Sequence, residues 1–290
     1  MKKVGIAVTD PLDWTGNALF NSVSNCGMQP IRFSFANATS EILTGKIHAS
    51  CIDLFELDAV VVRDLGPAIH NDVQFRYDLI CQLEELGVPI INPPESIARA
   101  ANKYQSSYLF MKNDIMTPET VVTNSLEEAA NALSSYGNAV LKPVFGSKGI
   151  GIECVRYDDE GLLNLERFLE KNGLIYIQKF IHNPGRDIRI FVVNNDVVGS
   201  IYRIAPAGGW INNLSQGGSA EPCVLTQQQH RLGLQAAKAV GTVYAGVDII
   251  EGERDYVIEI NGTPSGKGIY EASGIDVTIR IVEYLKNLLG

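Results

Sequence analysis

The run Leu141-Lys142-Pro143-Val144-Phe145-Gly146-Ser147-Lys148-Gly149-Ile150-Gly151-Ile152 is the most chemically suggestive stretch of the chain. A lysine ends one apolar segment, a glycine-rich loop follows, and a second apolar segment begins. Glycines let successive backbone N–H groups approach phosphate oxygens closely, and a lysine supplies a compact positive charge. Neither G-x-G-x-x-G nor G-x-x-x-x-G-K-[ST] is present, and both flanks read as strand, so no helix N-terminus forms the anion site. An ordinary hairpin loop with an exposed lysine is the competing reading.

A second constellation joins Val247-Asp248-Ile249-Ile250 to Ile258-Glu259-Ile260-Asn261 across a short polar turn. Side chains alternate faces along a strand, so Glu259 and Asn261 point the same way and can meet Asp248 on one sheet face. Two carboxylates and an amide oxygen are hard donors that suit Mg²⁺ held together with substrate phosphates. With no histidine or cysteine nearby, they suit zinc poorly. A solvated edge hairpin would contain the same residues. In a third element, Ile175-Tyr176-Ile177-Gln178-Lys179-Phe180-Ile181 runs into a connector followed by Asp187-Ile188-Arg189. Such a strand can offer backbone groups to an adenine edge and Asp187 to a ribose hydroxyl, although strands of this kind are commonly plain core.

These residues must be positioned by elements that the remaining pattern outlines. At 290 residues, 46% hydrophobic and 20% charged, the chain is long enough for two or three lobes around a sizeable core. Apolar runs at residues 4–8, 30–35, 59–62 and 88–91 alternate with helical stretches near 14–27 and 72–86, which predicts a parallel sheet. Ligands of such sheets sit beyond the carboxyl ends of the strands, here residues 10–14 and 64–66. Asn92-Pro93-Pro94 marks a lobe boundary, with one helix expected over residues 95–111. The expected lobes are 1–94, 95–183 and 184–290. Strands at 118–123, 139–143, 152–157 and 174–180 build the middle one. Strands at 188–194, 197–204, 245–250 and 256–260 build the last, which a helix over 277–289 closes.

Composition excludes several function classes. Twenty-four basic against 33 acidic side chains give a net charge of −9, which disfavours nucleic acid as a partner. No apolar run approaches the roughly 20 residues that span a bilayer, and the N-terminus reads as a strand and not as a signal peptide. The five cysteines are scattered with no C-x-x-C pair, and the four histidines lack ligand spacing. A soluble, cytoplasmic protein that works through glycines, lysines, carboxylates and amides is the expectation.

Together the motifs resemble an ATP-grasp ligase, and more closely the RimK-like glutamate ligases. The resemblance covers nearly the whole chain and rests on the order of Lys103, Lys142 with G-S-K-G-I-G, Gln178 to Ile181, Asp187-Ile188-Arg189, Arg203, and Asp248 with Glu259-Ile260-Asn261. It implies an α/β chain with an ATP-grasp fold behind an N-terminal parallel-sheet lobe. By that resemblance Lys103 and Lys142 hold ATP phosphates, under a loop containing Gly146, Ser147, Lys148, Gly149 and Gly151. Gln178, Lys179, Phe180 and Ile181 form the adenine-side hinge, and Asp187 faces the ribose. Arg203 and Asn213 lie at the transferred phosphoryl group. Asp248, Glu259 and Asn261 carry Mg²⁺ or Mn²⁺, with Glu259 bridging two ions.

The implied reaction is carboxylate–amine ligation through an acyl phosphate, with L-glutamate as the amine. No protein nucleophile is needed, since phosphoryl transfer relies on positioning and charge neutralisation. Protein-modifying members carry arginines where Ile211 and Gln216 stand. Lys267 occupies a place where members acting on small cofactors often have a lysine. The pattern therefore looks more like the branch that adds glutamate to tetrahydromethanopterin or a related carboxylated cofactor. A protein C-terminus is the alternative acceptor, and a nucleotide-binding scaffold without ligase activity is the non-enzyme reading. Arg63 and Lys267 are the acceptor-pocket candidates. Relatives often form dimers or tetramers, so a homo-oligomer fits the resemblance, with no sequence signal that decides it.

Overall fold

The computed structural model describes residues 1–67, 72–146, 149–206, 212, 214 and 217–290. The chain opens with β1 (Lys3–Ala7), α1 (Trp14–Asn25), β2 (Gln29–Phe33), β3 (Ala38–Glu41), β4 (Lys46–Ala49), β5 (Ile52–Asp53), β6 (Ala59–Val62), α2 (Asp72–Glu85) and β7 (Ile90–Ile91). Strands pair in the order β2-β1-β6-β7, all parallel, as the alternation of apolar runs and helices predicts. The strands β3 to β5 form a separate antiparallel sheet that the sequence pattern does not reveal. Its first strand alternates only between half-buried and exposed positions, so it lacks a strong apolar period. Helix α1 begins where the Asp13 carboxylate accepts the Gly16 N–H at 2.6 Å.

Next come α3 (Pro94–Ala101), α4 (Lys103–Lys112), β8 (Thr120–Thr123), α5 (Leu126–Tyr136), β9 (Asn138–Lys142), β10 (Glu153–Arg156), α6 (Asp159–Asn172) and β11 (Ile175–Lys179). The single helix expected over 95–111 is in fact two. Asn102 takes an extended conformation (φ −102°, ψ 104°) and its side chain caps α4, accepting from the Tyr104 and Gln105 N–H groups. Asn102 also pairs in a β-bridge with Phe145 of the glycine loop. The break makes Lys103 the first residue of a helix and ties it to that loop. Strands β10-β9-β11-β8 form an antiparallel sheet with its own core of Leu133, Leu141, Leu165, Phe168 and Ile177.

The last segment contains β12 (Arg186–Val193), β13 (Asp196–Ile204), β14 (Ser219–Pro222), α7 (Gln227–Val240), β15 (Tyr244–Glu251), β16 (Asp255–Asn261), α8 (Lys267–Ser273) and α9 (Thr278–Leu289). Strands β14-β13-β12-β15-β16 make one antiparallel sheet. The turn between β12 and β13 is Asn194-Asn195, with φ of 48° and 63°, the left-handed pair that two-residue hairpins favour. The N-terminal parallel sheet and this last sheet share a core. Val4, Ile6 and Leu19 pack in the same cluster as Ile201, Tyr244 and Ile281. Leu19→Ala would leave a cavity at that junction, costing about 2–5 kcal/mol.

Buried polar contacts fasten the same junction. Asn92 is fully buried. Its amide donates to the Tyr244 and Gly262 carbonyls at 2.7 and 2.5 Å, and its oxygen accepts from Val243 and Tyr244 N–H. The Tyr244 hydroxyl donates to the Val62 carbonyl at 2.8 Å. First and last sheets are thus one body, with the middle sheet standing over it. Among the described residues no helix is long and apolar enough to cross a membrane.

Candidate active site

A cleft of about 690 Å³, counting space open to solvent, lies between the β8–β11 sheet and the last sheet. Lys142 ends β9 and enters it from above. Its ammonium donates to the Gln178 amide oxygen at 2.7 Å, and Gln178 in turn donates to the Thr120 hydroxyl at 2.9 Å. Burial lowers the Lys142 pKa to about 8, a loss that the Glu259 carboxylate only partly offsets. Lys103, at the start of α4, donates to the Gly146 carbonyl at 2.9 Å and lies 3.3 Å from a Glu259 oxygen. The loop itself needs its glycines, because Gly149 and Gly151 have φ of +74° and +75°. Its Phe145 and Ile150 side chains are largely exposed, at 68% and 69%. Ser147 and Lys148 lie outside the described residues.

The opposite wall is a row across four neighbouring strands. Asp187 of β12 is in register with Arg203 of β13, Arg189 of β12 with Asp248 of β15, and Asp248 with Glu259 of β16. The Arg203 guanidinium grips Asp187 through two bonds of 2.7 Å and reaches Asp248 at 2.8 Å. Arg189 holds Asp248 from the other side, its Nε donating to Oδ1 and its Nη2 to Oδ2. Burial pushes the Asp187 carboxyl up against the opposing pull of Arg203. Burial acts on Asp248 too, but Arg189 and Arg203 overcome it and hold its pKa below the ordinary value. A bulge between Asp248 and Ile249 turns both Ile258 and Glu259 towards the cleft. Ile250, Ile258, Val140 and Ile152 supply an apolar slot beside these charges.

The structure therefore gathers Lys142, Gln178, Lys179, Phe180, Ile181, Asp187, Arg203, Asp248 and Glu259 around one cavity. Lys103 and Gly146 join them through the contacts just described. Asn261 is paired with Gly246 on the same hairpin, and its side-chain oxygen accepts the Thr263 N–H at 2.8 Å. At the hinge, the Lys179 N–H is donated to the Glu119 carbonyl and the Phe180 N–H to that of Asn138. Asn213, together with Ile211 and Gln216, lies outside the described residues.

The two acceptor candidates are not brought to the cleft. Arg63 is buried, its Nε 3.3 Å from Asp13 and its Nη1 donating to the Pro264 carbonyl at 2.8 Å. It fastens the first sheet to the loop after β16. Lys267 begins α8 on the surface, 3.6 Å from Glu271.

The donor set suits a divalent cation only with help. Among the described residues no group of three or more His, Cys, Asp or Glu could hold a metal alone. Asp248, Glu259 and Asn261 are all oxygen donors, which fits Mg²⁺ completing its shell with water and phosphate oxygens. Asn212 belongs to the same region. It lines the cleft, and its buried side-chain oxygen has no hydrogen-bond partner among the described residues. Sequence reasoning gave no role to Asn212 or to Arg189. The signal for Arg189 was present in the alternation that puts it on the face of Asp187, two residues earlier.

A model of the RimK-like ATP-grasp domain matches residues 100–285. The chain is 45% identical, over the full length of both proteins, to a tetrahydromethanopterin:alpha-L-glutamate ligase of Methanosarcina acetivorans. This chain belongs to the RimK-like ATP-grasp family. A second relative of the same name, from Methanocaldococcus jannaschii, is 41% identical over 82% of this chain and 81% of its own. Among solved structures, the ATP-grasp ligase PsnB complexed with a precursor variant, Mg and ADP superposes with a TM-score of 0.77. It shares 17% identity and covers 99% of this chain and 98% of its own. The fold is thus that of the ATP-grasp ligases, and the RimK-like chain is an ATP-dependent amino-acid ligase.

Proposed function

We propose that this RimK-like ligase joins L-glutamate to a carboxylate of a small pterin cofactor of the tetrahydromethanopterin type. The observation that carries the reading is the full-length 45% identity to a ligase of that name. The cleft supports it with a wall of cations beside an apolar slot. In the first step an acceptor carboxylate oxygen bonds to the γ-phosphorus of ATP, and the bond to the β,γ-bridging oxygen breaks to release ADP. In the second, the glutamate nitrogen bonds to the acyl carbon, loses its proton, and phosphate departs with the former C–O bonding pair.

Each part of the cleft then has a task. The Lys179 carbonyl and the Ile181 N–H read the adenine edge, next to Gln178 and Phe180. Asp187 accepts a ribose hydroxyl with the lone pairs that Arg203 leaves, since a carboxylate accepts about four bonds. Lys103 and Lys142 neutralise phosphate oxygens. The 146–151 loop, with Ser147 and Lys148, covers them and keeps water from the acyl phosphate. Arg203 and Asn213 stabilise the charge of the moving phosphoryl group. Asp248, Glu259 and Asn261 hold Mg²⁺, two ions with Glu259 shared, which when bound neutralises and orients the phosphates.

The test is ADP release by purified protein with ATP, Mg²⁺ and glutamate, comparing a tetrahydropterin acceptor bearing a free carboxylate with a peptide C-terminus. Product mass should rise by one glutamate residue on the pterin acceptor. Turnover with the peptide alone would overturn the acceptor assignment.

A further inference from the structure

All three donors proposed for the metal already contact donors of the protein itself. Both oxygens of Asp248 are taken by Arg189, and Arg203 adds a third contact at 2.8 Å. The Glu259 carboxylate lies 3.3 Å from the Lys103 ammonium, and the Asn261 oxygen accepts the Thr263 N–H. The described residues around this point comprise four cations (Lys103, Lys142, Arg189, Arg203) and three carboxylates (Asp187, Asp248, Glu259). The cluster is therefore one positive charge in excess, in a site where burial weakens screening by water.

We infer that Arg189 is a positioning residue that keeps Asp248 closed to divalent cations until a polyphosphate enters the cleft. A bare Mg²⁺ would have to displace a forked guanidinium while adding positive charge to a cluster already in excess. A triphosphate reverses both terms. It brings the negative charge that the cluster lacks, and it offers the two arginines other anionic oxygens, which releases Asp248 to the metal. Metal entry is thereby made dependent on nucleotide. Gly246 preserves the arrangement, because a Cβ there would lie 2.7 Å from Arg189 Nη1 and 2.9 Å from Pro264 Cβ. This inference rests on the reading of Asp248 as a metal ligand, and the experiment separates the two.

Mn²⁺ binding is measured by the loss of the free-ion EPR signal, on full-length protein without nucleotide. Wild type should bind Mn²⁺ at least tenfold more weakly than Arg189→Gln, and the gain should disappear in Arg189→Gln/Asp248→Asn. Arg189→Lys, which retains the charge but not the fork, should fall between them, and this gives a second variant if Arg189→Gln does not fold. With a non-hydrolysable ATP analogue, wild type should form a ternary Mn²⁺ complex that Asp248→Asn weakens. Tight Mn²⁺ binding to nucleotide-free wild type, lost in Asp248→Asn, would overturn the closure while leaving the ligand intact. A ternary complex indifferent to Asp248→Asn would remove the ligand assignment, and the closure with it.

Discussion

The two walls of the cleft are built on different principles. On one side stand Lys103 and Lys142, ammonium groups that each hold one neutral oxygen of the protein, with Glu259 a further partner of Lys103 at 3.3 Å, under a loop with left-handed glycines. On the other, Asp187, Arg189, Arg203 and Asp248 form an interlocked set of forked ion pairs on adjacent strands. An ammonium is a compact charge on a flexible stem, whereas a guanidinium fixes direction through several donors. The lysine wall is thus suited to meet a mobile polyanion. The arginine wall is suited to hold charge in fixed places where it develops during phosphoryl transfer.

The comparison is tested most severely at Glu259, which lies 3.3 Å from Lys103 of one wall and in register with Asp248 of the other. Glu259→Ala should lower turnover by roughly 10²-fold or more, with far-UV circular dichroism unchanged, since a positioned charge of this kind is worth that much. Near-normal turnover would contradict its role. Lys142→Ala should weaken nucleotide binding about tenfold or more by calorimetry, while any residual affinity comes from the adenine slot. Unchanged affinity would mean that the lysine wall is not where phosphates sit.

A smaller effect separates the walls by pH. The buried Lys142 is charged below about pH 8, so nucleotide affinity should be constant below that value and decline as pH rises through it. Arg203, whose pKa is raised by Asp248 and Asp187 against the effect of burial, stays charged throughout. Lys142→Arg should therefore flatten the profile in a fluorescence titration from pH 7 to 10. Least affected of all should be Lys267→Ala, which removes an exposed pair with Glu271. Its unfolding free energy by denaturant titration should stay within about 0.5 kcal/mol of wild type, and its nucleotide affinity should not move.

How legible each residue was depended on how far away its partner lies in the chain. Lys142 and the glycines stand out because one hairpin contains them, and Asp248, Glu259 and Asn261 because strand alternation and one short turn bring them together. Arg63, at the end of a parallel strand, reads in the sequence as an acceptor-pocket candidate. Its partners include the Pro264 carbonyl, 201 residues away, a contact that no local pattern announces. Arg189 passed without a role because Asp248 is 59 residues distant. The break at Asn102 was also hidden, because a single extended residue between two good helix formers leaves the apolar period nearly intact. Its consequence, the placement of Lys103 beside Gly146 and Glu259, belongs to tertiary structure.

Residue types and short-range spacing by themselves determined the parallel first sheet, the glycine loop, the oxygen-donor hairpin and, through the order of these motifs, the family. Folding decided which charges neutralise one another. An isolated arginine or carboxylate looks the same in a sequence whether it will face a ligand or another side chain. The cost of burying a charge without a partner lets the packed molecule distinguish the two, locking Arg63 between sheets and leaving the excess positive charge in the cleft.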